Sequence, residues 1–181
     1  MKVAIVHYWF VSMRGGEKVV EALCRLFPQA DIITHVIKPE GVSDVIRRHN
    51  VRTTFISRLP RPVSMYQSYL PLMPHALEEM DMSGYDLVLS SEAGPAKGII
   101  APPGATHICY CHSPMRYLWD QYHVYKRNAG LLARASVSLL GPGLRQWDVT
   151  SAARVDHFIA NSAHVQKRIA KYWRREAQVL H

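Results

Sequence analysis

The chain alternates short apolar runs with stretches of helical periodicity. Lys2–His7 is brief, rich in valine and isoleucine, and reads as a first strand. A loop over Tyr8–Gly16 leads into Glu17–Phe27, where Val19, Val20, Leu23, Leu26 and Phe27 recur at helical spacing until Pro28 stops the helix. Asp31–Val36 predicts a second strand, Asp44–His49 a short helix beginning near Ser43, and Arg52–Ile56 a strand rich in β-branched residues. Residues 57–82, punctuated by Pro60, Pro62, Pro71 and Pro74, predict irregular structure. Tyr85–Ser90 and Thr106–Cys111 predict strands, with a short helix or turn over Ala93–Ile100 between them. Arg116–Tyr125 and Leu131–Ala153 predict helices, the second interrupted at Gly141-Pro142-Gly143. His157–Ala160 predicts a strand entering the helix Ala163–Arg174 through Asn161-Ser162, and Ala177–Leu180 a last strand.

Strands alternating with helices predict an α/β fold, a Rossmann-like doubly wound parallel sheet. The 181 residues suit a single domain that buries about two thirds of its unfolded surface without a disulfide or metal staple. Ligands on such sheets sit at the carboxyl ends of the strands. The loops after His7, Ser90, Cys111 and Asn161 are therefore where chemistry is expected.

Composition adds three constraints. The cysteines are Cys24, Cys109 and Cys111, an odd number, and the first apolar run is too short for a signal-peptide core. Together these predict reduced thiols and a cytoplasmic protein. No run approaches the roughly 20 apolar residues of a transmembrane span. The net charge of +8 favours an anionic partner: phosphate groups, an anionic membrane surface or nucleic acid. Nucleic acid is not expected, because no binding motif appears and the basic residues do not interleave with aromatics.

The first loop carries Arg14-Gly15-Gly16-Glu17-Lys18 at a helix start, where free amides and the helix dipole favour an anion. It is neither the dinucleotide fingerprint nor a Walker loop, and a plain glycine turn explains it equally well. The loop after Cys111 places His112 at a strand's carboxyl end and Arg116 one turn later, suited to a carboxylate or phosphate. His107, Cys109 and Cys111 share one strand face, but with no second pair of ligands they fit buried cysteines better than zinc. Ser162 is a plausible N-cap beside Asn161, and Lys97 reads as a solvated lysine. Two segments are candidates for lipid or acceptor contact. One is Val63–Met80, with Tyr66 and Tyr69; the other is the last helix, with Lys167, Arg168, Lys171 and Arg174. Core packing and a solvated basic face are the plainer alternatives.

Several stretches resemble glycosyltransferase family 4, the retaining enzymes of the two-domain GT-B fold, and in particular a bacterial branch that assembles cell-surface polysaccharide. They are Met13-Arg-Gly-Gly-Glu-Lys-Val19, Glu21-Ala-Leu-Cys-Arg-Leu-Phe-Pro28, Tyr69-Leu-Pro-Leu-Met-Pro74, Ala96-Lys-Gly98, Cys109-Tyr-Cys-His-Ser-Pro-Met-Arg-Tyr117 with Trp119-Asp120, and Ser151 through Ser162. The resemblance implies an amino-terminal, acceptor-side domain. Gly15, Gly16 and Glu17 would lie beside the donor diphosphate and acceptor, and His112 would face the donor sugar. Arg116, Asn161 and Ser162 would be further binding positions. The implied partners are a nucleotide-sugar donor, a glycan or lipid-linked acceptor and a carboxy-terminal domain, with no metal or other cofactor. The chain reaches Leu180-His181 about where that family crosses into its interdomain linker, so this half alone is expected to turn over nothing. Two positions depart from the pattern: Tyr8 stands where relatives commonly have aspartate, and Glu92-Ala-Gly-Pro95 replaces an expected histidine or small polar residues.

Overall fold

A computed structural model describes residues 1–128 and 130–181. In chain order the elements are β1 (Val3–His7), α1 (Gly15–Leu26), β2 (Asp31–Thr34), α2 (Asp44–Arg47), β3 (Val51–Thr53), α3 (Pro62–Met65), α4 (Met73–Glu78), β4 (Leu87–Glu92), β5 (Thr106–Cys111), α5 (Tyr122–Asn128), α6 (Leu131–Ala153), β6 (His157–Ala160), α7 (Ala163–Trp173) and β7 (Gln178–Val179). The strands form one seven-stranded sheet in the order β3-β2-β1-β4-β5-β6-β7, every pair parallel. The chain winds outward from β1 to β3, then returns to the other side of β1 with β4. The β1–β4 boundary is thus the topological switch point, where such sheets open a crevice.

Alternation along each strand builds a core on both faces. Val3 and Ile5 of β1 pack with Val20 and Cys24 of α1 and with Ile32 and Ile46. Ala4 and Val6 point the other way, into a cluster with Leu77 of α4, Val88 and Ile99. At the far edge Cys109, Cys111, Phe158 and Ala160 pack against Val165, Ile169 and Trp173 of α7.

Several elements differ from their sequence expectation. Residues 62–78, expected to be irregular, form α3, a 3₁₀ turn over Tyr66–Leu72 and α4, because Pro62 and Pro74 stand in first turns where no N–H is needed. α6 runs unbroken through Gly141-Pro142-Gly143. The helix expected at Arg116 starts only at Tyr122, preceded by turns. β4 continues through Ser91 and Glu92, both fully buried, since β1 and β5 flank it on either side.

Lys97 is the plainest correction. It is fully buried, in a 3₁₀ turn over Ala96–Gly98, and its ammonium pairs with Asp148 of α6 and lies 3.7 Å from Glu92 Oε1. Asp148 also accepts from the indole N–H groups of Trp119 and Trp173, each at 2.7 Å. Burial alone would lower the ammonium's pKa, but Asp148 and Glu92 outweigh it and raise it. Next to it, a side chain on Gly98 would collide with the Trp147 indole, so glycine is required there. Lys97→Met leaves Asp148 charged and buried without its cation. We expect it to cost roughly 3–5 kcal/mol of stability in urea denaturation; a loss within error of zero would show that the pair is not formed in solution.

Candidate functional site

Four elements meet at the carboxyl edge of β1, β4 and β5. The parallel register sets His7 beside Ser91 and Glu92 beside Cys111, and the His112 backbone N–H extends the ladder to Glu92 O at 2.7 Å. α1 opens against this edge with Gly15 and Gly16 in its first turn, preceded by Arg14 in extended conformation. Its free amides point out of the helix, the arrangement that binds anions.

Gly16 is the tightest point. A Cβ there would stand 3.2 Å from His7 Cε1, 3.4 Å from the Tyr8 hydroxyl and 3.5 Å from His112 Nε2. Three rings from two strand ends thus close on one backbone position, and only glycine admits them without displacement. Gly15 has open space around it. Glu17 is buried and turned back on the helix: its Oε2 accepts from the Arg14 backbone N–H at 2.9 Å, completing a helix cap. Burial alone would raise the Glu17 carboxyl, but the neighbouring His7 ring and the Arg14 N–H bring it below the usual range.

The rings are held in defined states. His7 is fully buried, and its Nδ1 donates to the Ser91 carbonyl at 3.3 Å, which leaves Nε2 facing Glu17 Oε1 at 3.8 Å. His112 Nε2 shares a hydrogen bond with Ser91 Oγ at 2.9 Å, and its ring meets Tyr110 edge-on. Burial first, and then the nearby His7, push the His112 imidazole down to about 4, so it is neutral at pH 7. The Tyr8 phenol packs on Gly94; burial, Glu17 and Glu92 raise its pKa and keep it protonated. Glu92 is fully buried, and burial raises its carboxyl to about 7. It accepts the Lys97 backbone N–H at 2.9 Å.

Of the residues singled out in the sequence, Gly16 and His112 come together here, with Gly15 and Glu17 alongside. Asn161 lies one strand away from His112, its N–H on Cys111 O at 3.2 Å. Ser162 caps α7, accepting from the Val165 N–H at 3.2 Å. Arg116 is exposed on the turn after the His112 loop. Tyr66 packs on Trp9 at 4.6 Å, and the Tyr69 hydroxyl donates to Pro60 O at 2.7 Å. Lys167, Lys171 and Arg174 are exposed, but Arg168 does not share their face. It is buried, pairs with Asp120 and donates to Pro114 O at 3.1 Å, tying the His112 loop to α7. His107 Nε2 bonds Ser90 Oγ at 2.9 Å, and burial drives the Cys109 and Cys111 thiols upward. Sequence reasoning passed over His7 and Ser91 as site residues, because their roles come from the β1–β4 register, which no local pattern encodes.

The model of Glycosyltransferase Family 4 matches residues 13–181. The chain belongs to that family. Among solved structures it is similar to HepE of Anabaena, crystallised in complex with UDP, at 13% identity and a TM-score of 0.54, over 100% of this chain and 44% of that one. It also aligns with the apo lipopolysaccharide outer core galactosyltransferase WaaB at 13% identity and a TM-score of 0.48, over 95% of this chain and 42% of that one. The family-4 chain thus spans less than half the length of these structures. No curated protein sequence matches it. The seven parallel strands and their flanking helices match one Rossmann-like half of a GT-B fold.

The buried histidines give the domain a pH signature. Burial pushes His35 to about 3 and His107 to about 4, as it does His112. Each stays neutral when folded and takes up a proton when unfolded, near the ordinary value of 6.5. Their stabilisation is whole above that value and is lost as pH falls toward about 4. Glu92 acts oppositely, since its folded form holds a proton up to about 7. His107→Gln isolates one group, worth at most about 3 kcal/mol. The wild-type Tm should fall more steeply than that of the variant on acidification through this window; equal slopes would show that folding leaves the His107 pKa unshifted.

Proposed function

We propose that this domain is the amino-terminal, acceptor-side half of a retaining glycosyltransferase of hexosyltransferase type. It would act with a carboxy-terminal domain that grips a nucleotide-sugar donor, and transfer the sugar to a cell-surface glycan or lipid-linked acceptor at the inner face of the membrane. The observation that carries this reading is Gly16, wedged at the opening of α1 against His7, Tyr8 and His112. An anion at those amides lies beside a neutral imidazole, which suits a diphosphate leaving group next to a sugar. HepE, which shares the fold, was crystallised with UDP.

In such a transfer the bond from the anomeric carbon to the diphosphate oxygen breaks with its electron pair on the diphosphate. The acceptor oxygen bonds to the same face, and its proton passes to the departing diphosphate oxygen. Fixed amides at Gly15 and Gly16 stabilise the developing charge without reorganising. His112, with a pKa near 4, is too weak a base to take the acceptor's proton at pH 7; it positions the sugar by a hydrogen bond. Arg116, Asn161 and Ser162 are further candidates for the acceptor side.

The test is a transfer and hydrolysis assay on the full-length protein beside this domain, with a panel of UDP- and GDP-sugars. Turnover by the full-length protein alone is expected. His112→Ala should lower kcat/KM by about 10²–10³-fold, and Gly16→Trp should abolish transfer, both with unchanged circular dichroism. Near-normal turnover in either variant would sink the site assignment. We also expect transfer to persist in EDTA; loss of activity restored by a divalent cation would refute the metal-independent reading.

One observation favours a second reading, a non-catalytic module that binds a phosphorylated ligand or a protein partner. The Tyr8 phenol, in place of the aspartate common in relatives, packs against the glycine loop. Silence with every donor, together with binding of the nucleotide, would select that reading.

A further inference from the structure

The helical hairpin after β5 differs chemically from the rest of the surface. From Gln121 to Trp147 the chain holds Lys126, Arg127, Arg134 and Arg145 and not one aspartate or glutamate. Between Ala135 and Leu144 α6 has no charged side chain at all, although most of that stretch is exposed. Leu139 is 79% exposed and Leu140 39%. α5 adds Val124 at 45% and Tyr125 at 48%. A helix facing water ordinarily carries charge on its outer side, and Gly141-Pro142-Gly143 is a poor helix former in water. This stretch is neither charged nor intrinsically helical.

The hairpin is nevertheless built as one unit. The Arg134 guanidinium donates to the carbonyls of Lys126 and Arg127, at 3.1 and 3.0 Å, closing the end of α5 onto α6. The Tyr122 ring covers the buried Gly141, with the Arg145 guanidinium 4.9 Å from its centroid. Arg127 remains exposed. Since α5 follows the His112 loop, the hairpin begins at the same edge of the sheet as the site.

We propose that this hairpin rests on an anionic lipid bilayer, with Leu139 and Leu140 at the boundary of headgroups and acyl chains and Lys126 and Arg127 on lipid phosphates. Exposed apolar side chains flanked by one sign of charge are the combination that holds a helix in that interface. No helix among the described residues is long and apolar enough to cross a membrane, so the hairpin lies on the bilayer. A second copy is a poor occupant, because two-fold pairing would press this wholly basic patch against itself. The two segments marked from sequence offer less. On the apolar face of α7, Val165, Ile169 and Trp173 are buried and Tyr172 stacks on Trp119. The segment Val63–Met80 contains the acidic Glu78-Glu79 pair. The bearing on a lipid-linked acceptor rests on the proposed function; the binding itself does not.

Flotation of the full-length protein with phosphatidylcholine vesicles, with and without phosphatidylglycerol, tests this. Binding is expected only with phosphatidylglycerol. Leu139→Ser with Leu140→Ser should lower it at least about tenfold, and Lys126→Glu with Arg127→Glu about tenfold, at unchanged Tm. Lys167→Glu with Lys171→Glu on α7 should leave it unchanged. Failure of the full-length protein to bind, or equal binding by the hairpin variants, overturns the proposal. So does a dimer in analytical ultracentrifugation that the leucine variants abolish. Transfer to a soluble acceptor, measured on the same variants, keeps the two readings apart. Vesicle binding without transfer by any form would fault the enzyme reading and leave the hairpin standing.

Discussion

The salt bridge of Lys97 with Asp148 is the constraint on which the functional edge depends. A cation without access to water is tolerable only where carboxylates and further hydrogen bonds enclose it. Here the enclosing carboxyl groups come from two places far apart in the chain, Asp148 in α6 and Glu92 at the end of β4. Asp148 in turn holds Trp119, from the turns after β5, and Trp173, from α7. The Lys97 ammonium also lies 4.5 Å from the Trp173 ring centroid. One buried charge thus fixes the loop after β4, the segment leading from His112 to α5, and the packing of α6 and α7. Arg168 adds a second tie from α7 to the same segment through Asp120 and Pro114. The His112 loop needs such support, because it lies outside any regular element and its ring must stay against Ser91 and Gly16.

That support also shapes the electrostatics at the crevice. Low access to water makes protonation expensive for imidazole and ionisation expensive for phenol and carboxyl. His112 and His35 accordingly remain neutral and Tyr8 protonated, while Glu92 is displaced toward neutral pH. The amides at the start of α1 and the neighbouring Arg14 guanidinium are left as positive features of the crevice.

The sequence carried the fold further than it carried the site. β1 stands where its valine and isoleucine run placed it, since a buried parallel strand is a continuous apolar run, and β5 and β6 keep their expected bounds. Ser91 and Glu92 escaped that logic: polar residues belong to a buried strand only if partners exist, and the Ser91 partner His112 is 21 residues away while Glu92 meets Lys97, five residues on, only through the turn after β4. Lys97 failed for the same reason, as nothing local signals Asp148, 51 residues away. Pro142 misled in the opposite direction, because packing of α6 on its neighbours outweighs an unfavourable propensity. Gly16 and His112 were visible as loop residues at strand ends. That they touch, with His7 between them and Ser91, follows from the β1–β4–β5 order and from nothing nearer.

The two departures from the family pattern become one once the structure is considered. Glu92 and Tyr8 are separated by more than eighty residues in sequence, yet Glu92 is among the charges that raise the Tyr8 phenol's pKa. Glu17 acts on the same phenol from the other side. An aspartate at position 8 would place a third carboxylate beside these two in a buried crevice, where like charges oppose one another's ionisation. It would also set a negative charge against the free amides at the start of α1. A protonated phenol fills the same space without that charge. The phenol at position 8 therefore keeps a third carboxyl group out of a crevice that already holds Glu17 and Glu92.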